Sequence, residues 1–186
     1  MQLPTLVATA AAVSAPAGFR LAPVVEISVL DRAFAIESAS YPEDEAATRE
    51  KLQMRILEAS DYFYGAFQDD GGGSGPPELH GFVCGTLTTS DTLTEEAMSA
   101  HEPEGTTLCI HSVVIEESLR RRGIATWMLS SYLASVAANT PAERVLLLCK
   151  SHLVGFYEAC GFANLGVSPV VHGQDPWYGM GLMIRR

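Results

Sequence analysis

The stretch from Leu108 to Ala138 constrains the fold more than any other part of the chain. It opens with Leu108-Cys109-Ile110-His111-Ser112-Val113-Val114-Ile115, whose apolar and β-branched residues predict a buried strand. After a turn through Glu116 to Leu119, Ala125, Met128, Leu129, Tyr132, Leu133 and Val136 recur at three- and four-residue steps, which describes one face of a helix. A buried strand that feeds a helix points to packed layers of strands and helices.

The junction reads Arg120-Arg121-Arg122-Gly123-Ile124-Ala125-Thr126. The first turn of a helix has backbone N–H groups without intrahelical partners and a partial positive charge, which suits a phosphate or pyrophosphate. Glycine lets such a ligand approach the backbone with no Cβ in the way. The dinucleotide fingerprint needs three glycines and the P-loop ends in Gly-Lys-Ser/Thr; this junction has neither.

Val113 to Ala125 resembles the acetyl-CoA motif of the Gcn5-related N-acetyltransferases, Gln/Arg-x-x-Gly-x-Gly/Ala after the fourth strand. More narrowly, the chain resembles the aralkylamine (serotonin) N-acetyltransferases, above all their non-vertebrate branch, and the related fungal polyamine acetyltransferases. Further stretches carry the likeness: Glu37 to Ala47 (ESASYPEDEAA), Leu93 to Met98, Leu148-Cys149-Lys150, and Leu153 to Phe162 (LVGFYEACGF). Together they span roughly residues 19 to 184 in the family's order. The resemblance implies a mixed α/β (α+β) fold: a twisted, mostly antiparallel mixed sheet, splayed between the family's fourth and fifth strands and flanked by helices. It also implies acetyl-CoA as co-substrate and no metal.

Length bounds the rest. With 186 residues the expectation is a single domain over residues 19–186 behind a mobile tail, 1–18, which holds no charged residue. No basic region precedes an apolar segment there, so it is not read as a secretory signal. A hydrophobic share of 47% supports a core, and no apolar run approaches a membrane span. A net charge of −10 disfavours nucleic acid and anionic membrane as partners. Cys84, Cys109, Cys149 and Cys160 lack Cys-x-x-Cys spacing and read as reduced, buried thiols. A cytoplasmic monomer is expected, with an organelle such as a plastid as the alternative location.

In chain order, Phe19 to Val25 reads as a strand and the segment from Ile27 as a helix with Ser28 as its cap. Tyr41-Pro42 stops it, because the residue before proline is pushed out of the α region. A second helix is expected over Glu45 to Glu58, then strands over Tyr62 to Gln68 and Gly81 to Thr89, joined by the glycine-rich tip 69–77. Residues 94–105 read as a short helix and turn. Beyond Pro141, Arg144 to Cys149 reads as a strand and Leu153 to Cys160 as a helix closed by Gly161. Final strands are expected near Val167 to Val171 and Gly179 to Ile184, with Gln174 to Tyr178 as a connecting loop.

Acetyl transfer to an amine makes three demands. The amine must lose a proton, the carbonyl oxygen must be stabilised as it becomes negative, and the departing thiolate should receive a proton. Strand alternation sets Cys109, His111, Val113 and Ile115 on one face, and His111, with a reference pKa near about 6.5, is the expected base. The family commonly has a second histidine two residues earlier, where this chain has Cys109, a possible relay member or an inert buried thiol. By resemblance Tyr157 protonates the thiolate, and an amide near Val114 serves the oxyanion. Val113, Val114 and Ile115 would hold the pantetheine arm, Arg120, Arg121, Arg122, Gly123, Ile124, Ala125 and Thr126 the pyrophosphate, with Phe156 beside Tyr157. The amine would meet Tyr41, Pro42, Leu148, Val171, Trp177 and Tyr178.

These residues point to direct transfer of acetyl from acetyl-CoA to an arylalkylamine of the serotonin, tryptamine or phenylethylamine type. A polyamine acceptor stays open, since Glu43, Asp44 and Glu45 stand near the proposed loop. A catalytically silent acetyl-CoA-binding regulatory domain stays open too, with Cys109 as the sign of decay. Vertebrate relatives carry basic phosphorylation motifs that recruit a phospho-dependent partner; no such partner is expected here.

Overall fold

The computed structural model describes residues 3–7, 13–68, 77–94, 96–170 and 175–185. Among these, β1 (Thr5–Val7) and β2 (Phe19–Pro23) precede α1 (Leu30–Ser40) and α2 (Arg49–Glu58). Then come β3 (Phe63–Gln68), β4 (Glu78–Thr88), β5 (Thr107–Ile115), α3 (Ile124–Asn139), β6 (Arg144–Lys150), α4 (Val154–Ala159), β7 (Ala163–Val167) and β8 (Trp177–Arg185). The strands form a mixed sheet in the order β1-β8-β6-β5-β4-β3-β2, with β7 also paired to β8. This is the mixed α/β architecture that the alternation of segments implies. The chain divides into two compact units, Ala12–Cys84 with Ser112–Tyr132, and Met1–Ala11 with Gly85–His111 and Leu133–Arg186.

In the unit that holds α1 and α2, β2 and β4 both run antiparallel to β3. α1 turns Leu30, Ala33 and Ile36 into a core that also contains Leu52 and Ile56 of α2, Phe63 of β3 and Phe82 of β4. Burial of each leucine, isoleucine and phenylalanine side chain here contributes about 1.5–3 kcal/mol. Tyr41 ends α1 in an extended conformation (φ −125, ψ 153), as the following proline requires. α2 opens on Thr48, whose hydroxyl accepts the Lys51 amide, so an otherwise orphan N–H is satisfied. Leu52 is fully buried, and Leu52→Ala would cost about 2–5 kcal/mol through lost contact and a residual cavity.

In the unit that holds β6 to β8, β6 lies antiparallel to β8 from Arg144↔Met183 to Lys150↔Trp177. The other edge of β8 takes β7 antiparallel and β1 parallel. Val145, Leu147 and Cys149 alternate along β6 and are each at most 1% exposed, so the period of two buries one face. β5 pairs with β6 in parallel over Thr107↔Arg144 to Ile110↔Leu147, although the strands continue to Ile115 and Lys150. They are the pair between which the resemblance implies a splay. α4 closes at Gly161, whose φ of +94 suits a residue without a Cβ.

Several boundaries differ from those expected. Part of the expected N-terminal tail, Thr5–Val7, is a strand on β8. Ser28 does not cap α1: its hydroxyl bonds Glu26, and a 3₁₀ turn over Ile27–Val29 leads into the helix. α2 begins at Arg49 rather than Glu45, because Glu45 and Ala46 turn back on the Pro42 carbonyl. Residues 96–99 form turns, not a helix. The penultimate strand is Ala163–Val167, and Trp177 and Tyr178 stand on β8 instead of in a loop, paired with Lys150 and Cys149. Most of the glycine-rich tip lies outside the described residues.

Candidate active site

His111 stands on β5 and is half-buried. Its Nε2 lies 2.7 Å from Oγ1 of Thr86, a fully buried residue of β4. The hydroxyl therefore fixes the imidazole's orientation, a constraint that depends on a residue 25 positions away and that sequence reasoning missed. Cys109 is fully buried and opposite Leu146 in the parallel pairing, so both side chains stand on one face. Burial, with a smaller contribution from the Glu102 carboxylate, pushes its thiol up to about 12, and it stays protonated at neutral pH.

Tyr157 lies on α4 and is 5% exposed. Its ring sits edge-on to Phe156 at 4.9 Å and to Phe162 at 5.8 Å between centroids, which sets the direction of the phenol. Leu148 is half-buried on β6. The Trp177 ring carries the Lys150 ammonium 4.3 Å from its centroid, so one aromatic face is already taken by a cation. Tyr178 is half-buried beside Cys149. Val171 lies outside the described residues.

The junction between β5 and α3 is built in the other unit. A 3₁₀ turn over Glu117–Leu119 leads to Arg121 and Gly123, both at positive φ (63 and 77). The Trp127 amide donates to the Gly123 carbonyl at 3.1 Å, so the amides of Ile124, Ala125 and Thr126 lie ahead of the first intrahelical bond. A Cβ built on Gly123 meets nothing within 4 Å, and Arg121, Arg122 and Thr126 are exposed. An open turn of amide donors flanked by two guanidiniums fits the pyrophosphate of a coenzyme A. Arg120 does something else: its Nε donates to the Ile115 carbonyl at 3.1 Å and its Nη2 to Ser40 Oγ at 3.2 Å, which ties the turn to β5 and α1. Ile124 is buried and anchors the helix. Val114 and Ile115 are buried and Val113 is half-buried.

Tyr41 ends α1 with its side chain against the core, while Pro42 is exposed. Burial pushes the Tyr41 phenol well above its usual range, helped by the nearby Glu37 carboxylate and Cys84, against a hydrogen bond with the Val113 backbone and the Arg55 charge. Glu37 itself is 2% exposed; it accepts the Ala47 amide and the Ser112 hydroxyl, each at 3.0 Å. A polar residue at an apolar-face position, four after Ala33, was the signal for it in the sequence. Among the described residues no group of His, Cys, Asp and Glu is placed to hold a metal ion. No helix among them is long and apolar enough to cross a membrane.

A family model described as Acetyltransferase (GNAT) family matches residues 30–162, which include α1, the Gly123 turn and α4. The chain belongs to this acetyltransferase family. Serotonin N-acetyltransferase of Mesocricetus auratus is 32% identical over 96 residues, 52% of this chain and 46% of that protein. The chain thus spans about half the length of the relatives it matches. Two solved GNAT structures share the fold. The loading GNATL domain of CurA from Lyngbya majuscula has a TM-score of 0.75 at 13% identity and covers 89% of this chain and 97% of its own. NAA60 of Arabidopsis thaliana, in complex with a bisubstrate analogue, has a TM-score of 0.69 at 18% identity, with coverage of 90% and 99%.

Proposed function

We propose that the chain transfers the acetyl group of acetyl-CoA to the primary amine of an arylalkylamine. The likeness to serotonin N-acetyltransferases, 26–32% identical over the same length of 96 residues, carries this reading. Family membership and the open Gly123 turn support coenzyme A as the carrier; bound there, it supplies an activated acyl thioester.

The residues have distinct tasks. Gly123, Ile124, Ala125 and Thr126 would bind the pyrophosphate through their amides, with Arg121 and Arg122 adding charge. A primary amine of reference pKa near about 10.4 is protonated at neutral pH, and His111 takes its proton, with Thr86 holding the ring. Tyr157 holds a proton on its phenol oxygen for the departing sulfur. Cys109, with a thiol pushed up to about 12, stays protonated at neutral pH and is no base there.

Initial rates of thiol release with tryptamine, phenylethylamine, serotonin and spermidine test the reading, for wild type and His111→Ala over a pH series. Aromatic amines should be preferred, and the variant should lose about 10²- to 10⁴-fold near neutral pH and recover in part at high pH. Preference for spermidine would replace the acceptor class, and coenzyme A binding without turnover of any amine would favour a silent binding domain.

A further inference from the structure

The unit that holds β6 to β8 contains a cavity of about 670 Å³. Its size is that of a small-molecule site. Leu146 and Leu148 of β6 and Gly179 of β8 lie along it, with Leu93, Leu165 and Val167 also in its lining. Leu148, one of the six acceptor residues that the resemblance implies, is among the lining residues, so on that reading the cavity adjoins the acceptor site. Cys109 projects on the same face, opposite Leu146.

The charges in this lining oppose those of the molecule. The chain carries 22 acidic against 12 basic residues, yet the titratable groups lining the cavity are one carboxylate, Asp91, and two guanidiniums, Arg144 and Arg185. Arg144 Nη1 is ion-paired with Asp91, whose side chain is 83% exposed. With its carboxylate so open to water, the pair is screened and holds weakly. A ligand carboxylate or phosphate, which can meet the guanidinium through two oxygens, competes well for it. Arg144, Leu146 and Leu148 alternate onto one face of β6 and all three line the cavity, so a guanidinium stands at one end of an apolar floor. From Leu148 to Arg144 the strand covers about 13 Å at ~3.3 Å per residue, a span that a substituted phenylethylamine and an arginine side chain fill together. A polyamine would bring further ammonium groups into this lining.

We propose that this cavity is the far subsite of the acceptor, and that the acceptor is an arylalkylamine whose ring end carries an anionic group, bound by Arg144 in place of Asp91. The proposal rests on the acetyl-transfer reading above and narrows it to one class of amine.

The test compares 4-(2-aminoethyl)benzoate with 2-phenylethylamine as acceptors for wild type, Arg144→Gln and Asp91→Asn. Wild type should favour the carboxylate in kcat/KM by about tenfold or more, Arg144→Gln should abolish that ratio, and Asp91→Asn should raise it by freeing the guanidinium. Opposite signs in the two variants separate recognition from a general loss of folding. A ratio of one or less in wild type, or one unmoved by Arg144→Gln, would overturn the subsite while phenylethylamine turnover upholds acetyl transfer. Methyl-resolved NMR of the methionines adds a readout that needs no turnover, because Met183 lines the cavity and Met183→Leu assigns its signal. If neither amine is acetylated, a Met183 shift with the aminoethylbenzoate that vanishes in Arg144→Gln upholds the subsite against the transfer reading; no shift sinks both.

Discussion

The Glu37 carboxylate accepts the Ser112 hydroxyl at 3.0 Å and so joins α1 to β5 across 75 residues of chain. Its Oε1 also takes the Ala47 amide, while Oε2 has no hydrogen-bond partner among the described residues. Desolvation dominates this balance and raises the carboxyl above its ordinary 4.5, against the Ala47 and Ser112 bonds and the Arg55 charge. An acid whose folded-state value is raised binds protons more readily in the folded state. Its stabilising contribution is complete below about 4.5 and is lost as pH rises through the folded value. Glu37→Gln keeps the acceptor oxygen and removes the titration. In urea unfolding from about pH 4 to pH 8 the variant should gain on wild type with rising pH; parallel curves would refute the assignment.

Thr86 matters through His111. Thr86→Val should cost about 0.5–1.5 kcal/mol of stability for the lost hydrogen bond and lower kcat more than it raises KM. The pH–rate profile should also shift, since the hydroxyl contacts a ring nitrogen, and Thr86→Ser should restore it. A variant with unchanged profile and kcat would reduce Thr86 to packing.

Gly123 holds φ at +77 beside open space, so a side chain there meets no atom but strains the backbone. Gly123→Val should cost about 1–2 kcal/mol in folding and more in coenzyme A affinity, because the side chain enters the turn that the amides line. Calorimetric titration with coenzyme A reads the second effect. Equal affinity in the variant would place the pyrophosphate elsewhere.

The four thiols should separate by burial. Cys84, Cys109 and Cys149 are at most 1% exposed, whereas Cys160 is half-buried with its pKa raised by desolvation to about 11. Near pH 8 only about a thousandth of Cys160 is thiolate, so a disulfide reagent should label one thiol slowly in the native protein and all four on unfolding. Fast labelling of more than one would contradict the buried placement.

What the sequence made legible was what local periodicity encodes. The run from Leu108 to Ile115 and the helical steps from Ala125 to Val136 carry their signals within one window, and so did the stop at Tyr41-Pro42. The Thr86 to His111 bond joins residues 25 apart, with nothing local to mark it. The pairing of Arg144 with Asp91 likewise depends on a partner 53 residues away. Ser28 looked like a cap by residue type, but its hydroxyl found Glu26 first. β1 left no trace, because three residues in a charge-free segment show no period.

β1 has a consequence for the order of assembly. Thr5 pairs with Met183, so β1 is completed by a strand that follows it by most of the sequence. Contacts of such separation form late, after shorter-range pairings have reduced the loop to be closed. During synthesis β1 therefore waits for β8, and the Leu3 and Thr5 wall of the cavity is set in place only once β8 has been made. A nascent chain arrested before residue 177 would carry the Gly123 turn but still lack β8, the neighbour that β1 needs.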